Sequence, residues 1–213
     1  MLAVHRSLPH DCKGLTDTTI SRHHWAPRCF DTSHAPAARS RTPQEYGMPS
    51  TMWIRTVDRD DIEAIRDLLV ETWHATYDGI YGKERVAAIN RDWHSAQALR
   101  KRMSKPYSEF VIADDGEDIL GVAFASMGEE RIASLHQLYV NPNAQSRGTG
   151  TALLIEMESA FPMAAKMRLE VEEANEKAIA FYQKQGYRQV DRTENCGTRD
   201  SGIPALIFEK TIG

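Results

Sequence analysis

Residues 166–172 alternate strictly, Met167, Leu169 and Val171 against Lys166, Arg168, Glu170 and Glu172, which predicts a strand with one buried and one polar face. Beyond it Asn175 stands at an N-cap position, residues 178–182 (Ala-Ile-Ala-Phe-Tyr) supply an apolar helical face, and Gly186 follows where a left-handed residue ends a helix. Ahead of it, residues 132–140 are apolar on both faces, as in a central strand covered on both sides, and 151–161 reads as a helix. From 132 onward the chain therefore runs strand, glycine-containing loop, helix, strand, helix, strand.

The preceding part supplies helices and antiparallel strands. Residues 53–57 give the first strand signal, and from Asp58 two helices are expected, one carrying Ile62, Ile65, Leu68, Leu69 and Trp73, the other running over 83–103. Asp78-Gly79 between them reads as a turn flanked by Tyr77 and Tyr81. Residues 108–113 and 119–127 form two short strands joined by the acidic loop 114–118, and 187–192 with 205–212 close the sheet. The order places the chain in the α/β (α+β) class.

Residues 1–51 follow neither period. They scatter Cys12, Cys29, His5, His10, His23, His24 and His34 among Pro, Ser, Thr and Arg, and are expected to be a disordered extension ahead of one domain over 52–213. Met48 and Met52 directly precede the first strand signal, so an upstream mistranslation is one reading of this segment. Its His and Cys spacings match no familiar zinc pairing, and it has no apolar signal-peptide core. At 213 residues and 41% hydrophobic the chain can bury one full core, and no stretch approaches the apolar length of a membrane span. The formal charge of −4 gives no reason to invoke nucleic acid as a partner. Three cysteines, odd in number and widely spaced, argue against a disulfide framework and make a reducing cytoplasm the natural setting.

The loop Gln145-Ser146-Arg147-Gly148-Thr149-Gly150 leaves a strand and opens a helix, so unpaired backbone N–H groups and the positive end of a helix dipole converge there, a site suited to a pyrophosphate. Such loops more often only turn the chain. The dinucleotide fingerprint fits poorly, because Leu153 stands where its third glycine belongs, and the phosphate loop ending in Gly-Lys-Ser/Thr is absent.

The loop pattern Gln145-x-x-Gly148-x-Gly150 together with Asn175-x-x-Ala178-x-x-Phe181-Tyr182-x-x-x-Gly186-Tyr187 resembles the acyl-CoA binding core of the GNAT superfamily of N-acyltransferases, over roughly residues 53–212. The resemblance implies the GNAT fold: a mixed central sheet of about six or seven strands, splayed between its parallel fourth and fifth strands and flanked by about four helices. It implies acetyl-CoA as acyl donor, no metal, and a donor site made by Leu138, Tyr139, Val140, Gln145, Ser146, Arg147, Gly148, Thr149, Gly150, Thr151, Asn175 and Tyr182. Lys184 is a weaker candidate for a nucleotide phosphate.

Amide formation from a thioester and an alkyl ammonium needs a proton acceptor, a donor for the developing oxyanion and a proton for the departing sulfur. Glu170 is the first candidate for the base; it matches the carboxylate of a Leu-Glu-Val-x-x-x-Asn segment in the similar bacterial N-terminal protein acetyltransferases. Tyr182 matches the family's general acid. His136, Gln137 and Glu172 are secondary bases, and Tyr77, Tyr81 and His136 are expected to line the amine pocket, with Trp73 read as core. Cys196 has no histidine at a suggestive spacing, which favours direct attack in a ternary complex over an acyl-cysteine. The acceptor is left open between a small amine and a protein N-terminus, as is a homodimer. A non-catalytic acyl-CoA-binding module and, more distantly, a dinucleotide-binding protein are the other readings.

Overall fold

The computed structural model describes residues 52–145, 147–197 and 201–213; the expectations for residues 1–51 and for Ser146 lie outside the described residues. The chain begins with strand β1 (Trp53–Thr56) and a short 3-10 turn (Arg59–Asp61). Asp58 and Asp61 close that turn as a capping box, leading directly into helix α1 (Ile62–Tyr81). Gly79 does not turn the chain as expected: α1 runs through it and stops only at Gly82, whose φ of 80° suits glycine.

The single helix expected over 83–103 is two. Helix α2 (Lys83–Trp93) ends at His94, and Ser95 starts helix α3 (Ala96–Met103) by accepting the Ala98 N–H on its hydroxyl at 3.2 Å. Strands β2 (Ser108–Asp114), β3 (Ile119–Met127) and β4 (Ile132–Val140) follow, then helix α4 (Thr149–Ser159), strand β5 (Lys166–Glu172), helix α5 (Glu176–Lys184) and strands β6 (Arg188–Thr193) and β7 (Ala205–Thr211). Five α-helices are thus present among the described residues.

The strands form one seven-stranded sheet in the order β1-β2-β3-β4-β5-β7-β6, antiparallel throughout except for the parallel pair β4/β5. The doubly apolar central strands have their cause in two cores. Phe110, Ile112, Phe124 and Tyr139 face α1 to α3 with Ile65, Leu69, Trp73 and Leu99, whereas Val111, Leu135, Leu138 and Leu169 face the other way with Leu153, Met157, Tyr182 and Phe208. Helix α4 lies tight on β3 because Gly121 has no side chain: a Cβ there would come within 2.8 Å of the Tyr139 carbonyl oxygen and 2.9 Å of Leu153.

On the polar face of β5 a carboxylate from β7 is shared: Glu209 accepts from Lys166 Nζ at 2.9 Å and from Arg168 Nε at 2.7 Å. Burial opposes its charge, yet the two cations outweigh burial and hold its pKa below the ordinary value. No helix among the described residues is long and apolar enough to cross a membrane.

Candidate functional site

The parallel ladder of β4 and β5 spans only Ile132↔Lys166 to Leu135↔Leu169. Its end coincides with a bulge on β4. On β3, Ala125 opposes Leu135 and Phe124 opposes Gln137, so His136 is an extra residue. A bulge bends its strand and increases the local twist. Beyond it Leu138, Tyr139 and Val140 stay paired with Ala123, Val122 and Gly121 of β3, while β5 carries on along β7 as far as Glu172↔Ala205. The two strands therefore part, and among the described residues the edge of 136–140 that faces β5 has no strand partner.

Helix α4 starts close by. Gly148 is its N-cap, in the left-handed region at φ 86°, and the helix begins at Thr149, two residues earlier than the sequence pattern indicated. The first N–H groups of any helix lack intrahelical partners, so the amides from Thr149 to Thr151 and the dipole behind them point out of this end. Arg147 is exposed and Gln145 half-buried beside it. The Thr151 hydroxyl accepts a hydrogen bond at 3.2 Å from Gln185, the C-cap of α5.

On α5, Tyr182 is fully buried, its ring packed edgewise on Phe181 and Tyr187, and its hydroxyl has no hydrogen-bond partner. Burial, reinforced by the nearby Tyr139 phenol, pushes its pKa well up, so Tyr182 keeps its proton at physiological pH. Asn175 caps α5 by accepting the Ala178 N–H at 3.1 Å and donates from Nδ2 to the Tyr77 hydroxyl at 3.3 Å. Its two polar atoms thus tie α5 to α1.

An aromatic cavity lies on the α1 side of the parted strands, lined by Trp73, Tyr77, Tyr81, Trp93, Tyr139, Glu172, Cys196 and Ile203. Its rings form a chain of contacts: Trp73 to Tyr77 at 4.6 Å between centroids, Tyr77 to Tyr81 at 5.9 Å, and Trp73 edge-on to Trp93 at 5.6 Å. Burial raises the pKa of Tyr77 and Tyr139, and burial with the hydrogen bond to Glu172 raises that of Tyr81, so all three are neutral donors. Glu172 is the one carboxylate in the lining among the described residues. Its Oε1 accepts from the Tyr81 hydroxyl at 2.7 Å and from the Ala174 N–H at 3.2 Å, and its Oε2 is buried without a hydrogen-bond partner.

Of the residues expected at the amine pocket, Tyr77 and Tyr81 line this cavity, and Trp73, read from sequence as core, lines it as well while remaining buried. His136 does not line it. It sits at the bulge, stacked on Phe124, with Nε2 2.7 Å from Ser126 Oγ. Lys105 donates to the same hydroxyl at 2.8 Å. Lysine can only donate, so Ser126 has its own hydrogen to give to Nε2. Glu170 is also outside the cavity lining; its Oε2 accepts the Gly197 N–H at 3.0 Å and so fastens the β6–β7 connection. Gln137 is buried on β4 next to His136 in the chain, and Lys184 is exposed at the end of α5. Trp93, Cys196 and Ile203 carried no local signal for a site.

Comparison with known proteins agrees with this geometry. A family model described as an acetyltransferase (GNAT) domain matches residues 77–211. A peptidyl-lysine N-acetyltransferase, YiaC, from Escherichia coli is 33% identical over 159 residues, covering 73% of this chain and 94% of that protein. A spermidine N(1)-acetyltransferase from Thermoplasma acidophilum is 26% identical over 144 residues, covering 65% and 89% respectively. The crystal structure of the PaiA N-acetyltransferase from Thermoplasma acidophilum, in complex with coenzyme A, superposes with a TM-score of 0.67 at 26% identity, covering 76% of this chain and 99% of that one.

Proposed function

We propose, from the premise that this chain belongs to the GNAT family of acetyltransferases, that it transfers the acetyl group of acetyl-CoA to a primary amine by direct attack in a ternary complex. Membership makes the protein an acyl-CoA N-acetyltransferase whose donor is acetyl-CoA. The observation that carries the finer reading is a pair of buried, unpartnered polar atoms, Tyr182 Oη and Glu172 Oε2, each beside Tyr139 or its cavity. A buried polar atom without a partner costs about 1–3 kcal/mol, and such atoms persist where a ligand supplies the missing bond.

The residues fit the donor. The unpaired edge of Leu138, Tyr139 and Val140 suits an extended amide-bearing arm, which would add to β4 as a strand does. The backbone from Arg147 to Thr151, opened by left-handed Gly148, suits a pyrophosphate at the α4 N-terminus, with Gln145 alongside. Asn175 belongs to this assembly as the α5 cap, holding Tyr182's helix against α1. Bound acetyl-CoA supplies an acetyl group activated as a thioester.

The chain's own residues handle the protons. Glu172 Oε2 accepts the proton of the incoming ammonium, freeing the nitrogen lone pair; Tyr81, hydrogen-bonded to Oε1, orients the carboxylate. Tyr182, neutral because it is buried, holds at Oη the proton that the departing sulfur requires. Glu170 positions the β6–β7 connection that carries Cys196 and Ile203 into the cavity wall. The test is a panel of primary amines incubated with acetyl-CoA while release of free thiol is followed. Turnover with at least one amine is expected. Tight acetyl-CoA binding with no amine acetylated across the panel would identify a non-catalytic acyl-CoA-binding module instead.

A further inference from the structure

The cavity wall is unusual in what it leaves out. Of the eight described residues that line it, five are aromatic and one, Glu172, is charged. The polar atoms that the rings contribute are already committed in part: the Tyr81 hydroxyl donates to Glu172, and the Tyr77 hydroxyl accepts from Asn175. The one carboxylate oxygen that the lining leaves buried without a hydrogen-bond partner is Glu172 Oε2, which calls for a hydrogen; the Tyr139 hydroxyl, also without a hydrogen-bond partner, has one to give. A carboxylate offers only acceptor sites, so its partner must be an N–H or O–H donor, and a cation answers its charge as well. Ring faces attract cations through their quadrupole, most strongly when water is excluded. Tyr81 shows that attraction on one face already, where the Arg85 guanidinium lies 4.9 Å from the ring centroid.

We infer that the acceptor enters this cavity as an alkylammonium flanked only by methylene groups, the chemistry of a lysine side chain or the end of a di- or polyamine, and that an amine with a carboxylate or peptide carbonyl on the adjacent carbon is refused. The inference rests on the transferase reading and narrows it. Methylenes satisfy a wall of rings and ask for no hydrogen bonds. A carbonyl or carboxylate oxygen on the carbon beside the nitrogen would be carried next to Glu172, oxygen against oxygen. Among the described residues no lysine, arginine or amide side chain lines the cavity to offset that repulsion. The discrimination thus comes as much from what the wall rejects as from what it attracts. Of the two acceptor kinds left open by the sequence, a side-chain or small alkyl amine is favoured and a protein N-terminus disfavoured.

Two measurements test this on the full chain. In the first, kcat/KM is compared for 1,5-diaminopentane, for lysine blocked at both its α-amino and carboxyl groups, and for a lysine-free peptide with a free alanine N-terminus. The two alkylammonium acceptors are expected to exceed the peptide by at least about tenfold. A peptide N-terminus acetylated as well or better overturns the inference and leaves the transferase reading standing; no turnover with any amine overturns both. In the second, hexyltrimethylammonium, which has the charge and cannot be acetylated, should compete with the amine at concentrations at least several-fold below those needed for 1-hexanol. Trp93→Leu should raise the amine KM and the inhibition constant of hexyltrimethylammonium together. Equal competition by the alcohol and the cation would overturn the inference without reference to any variant.

Discussion

Tyr182→Phe should move stability and turnover in opposite directions. The substitution deletes one oxygen from a side chain that is wholly buried and whose hydroxyl has no hydrogen-bond partner, and it keeps the ring contacts with Phe181 and Tyr187. Leaving a buried hydroxyl unsatisfied costs about 1–3 kcal/mol, and removing it recovers most of that. We expect the free protein to gain about 1–2 kcal/mol. For a domain of this size each kcal/mol shifts the Tm by about 2–4 °C, so the rise should fall between about 2 and 8 °C. The lost proton donor should lower kcat by roughly ten- to a thousandfold, with acetyl-CoA affinity nearly unchanged. Thermal melts without ligand and steady-state thiol release measure the two effects on one preparation. A lowered Tm would mean that the hydroxyl is bonded in the free protein, and an unchanged kcat would remove Tyr182 from the proton transfers; either result refutes the reasoning.

Glu172→Gln should depress the rate most near neutral pH and recover partly as the pH rises toward the amine pKa of ~10, where free amine accumulates; a pH–rate profile like that of the parent would place the proton acceptor elsewhere. Glu170→Gln retains an oxygen for the Gly197 N–H and should cost less than about tenfold in kcat; a larger loss than that of Glu172→Gln would exchange the two roles. Gly148→Val forces a β-branched residue to φ 86°, a strain that should shift the backbone amides at the α4 N-terminus, so calorimetry should show weaker acetyl-CoA binding, and unchanged affinity would take the loop out of the donor site. The Glu209 pKa is held below its ordinary 4.5, so its contribution to stability is complete above that value and is lost as the pH falls through the folded-state value. Denaturant titrations should therefore find Glu209→Gln less stable than the parent at neutral pH, with the gap closing in acid. A chain starting at Met48 should melt and bind acetyl-CoA like the full chain, since among the described residues β1 and the two cores are built from residue 52 onward; a substantially lower Tm would give residues 1–47 a structural role.

Local periodicity carried most of the fold. The alternation of 166–172, the Asn175 cap and the glycine at 186, which takes φ 89°, each lie within a few residues of what they determine. The break at His94 was not legible, because a serine at 95 is as compatible with the middle of an amphipathic helix as with its start, and what separates the two is the extended backbone at Ser95 (ψ 150°) with its hydroxyl bonded to Ala98. The bulge was hidden for a different reason. Strand β4 is apolar on both faces, so inserting His136 leaves no fault in its pattern. The two carboxylates of β5 share a face by alternation, and their difference depends on contacts distant in sequence: Glu172 meets Tyr81, 91 residues away, and Glu170 meets Gly197, 27 residues on. Trp93, Cys196 and Ile203 enter the cavity by the same long-range assembly, which no window of sequence reports.

The bulge at His136 has a consequence for how this chain tolerates change. What parts β4 from β5 is the number of residues between Leu135 and Gln137, since both are in register with β3 and one more residue lies between them than the ladder can seat. A substitution at 136 alters chemistry at that point and leaves the count intact. Deleting the residue would let Leu135 and Gln137 follow one another along Ala125 and Phe124, straightening the strand and extending its pairing toward Glu170 and Glu172. The opening is thus written as a length, and point substitution alone leaves it in place.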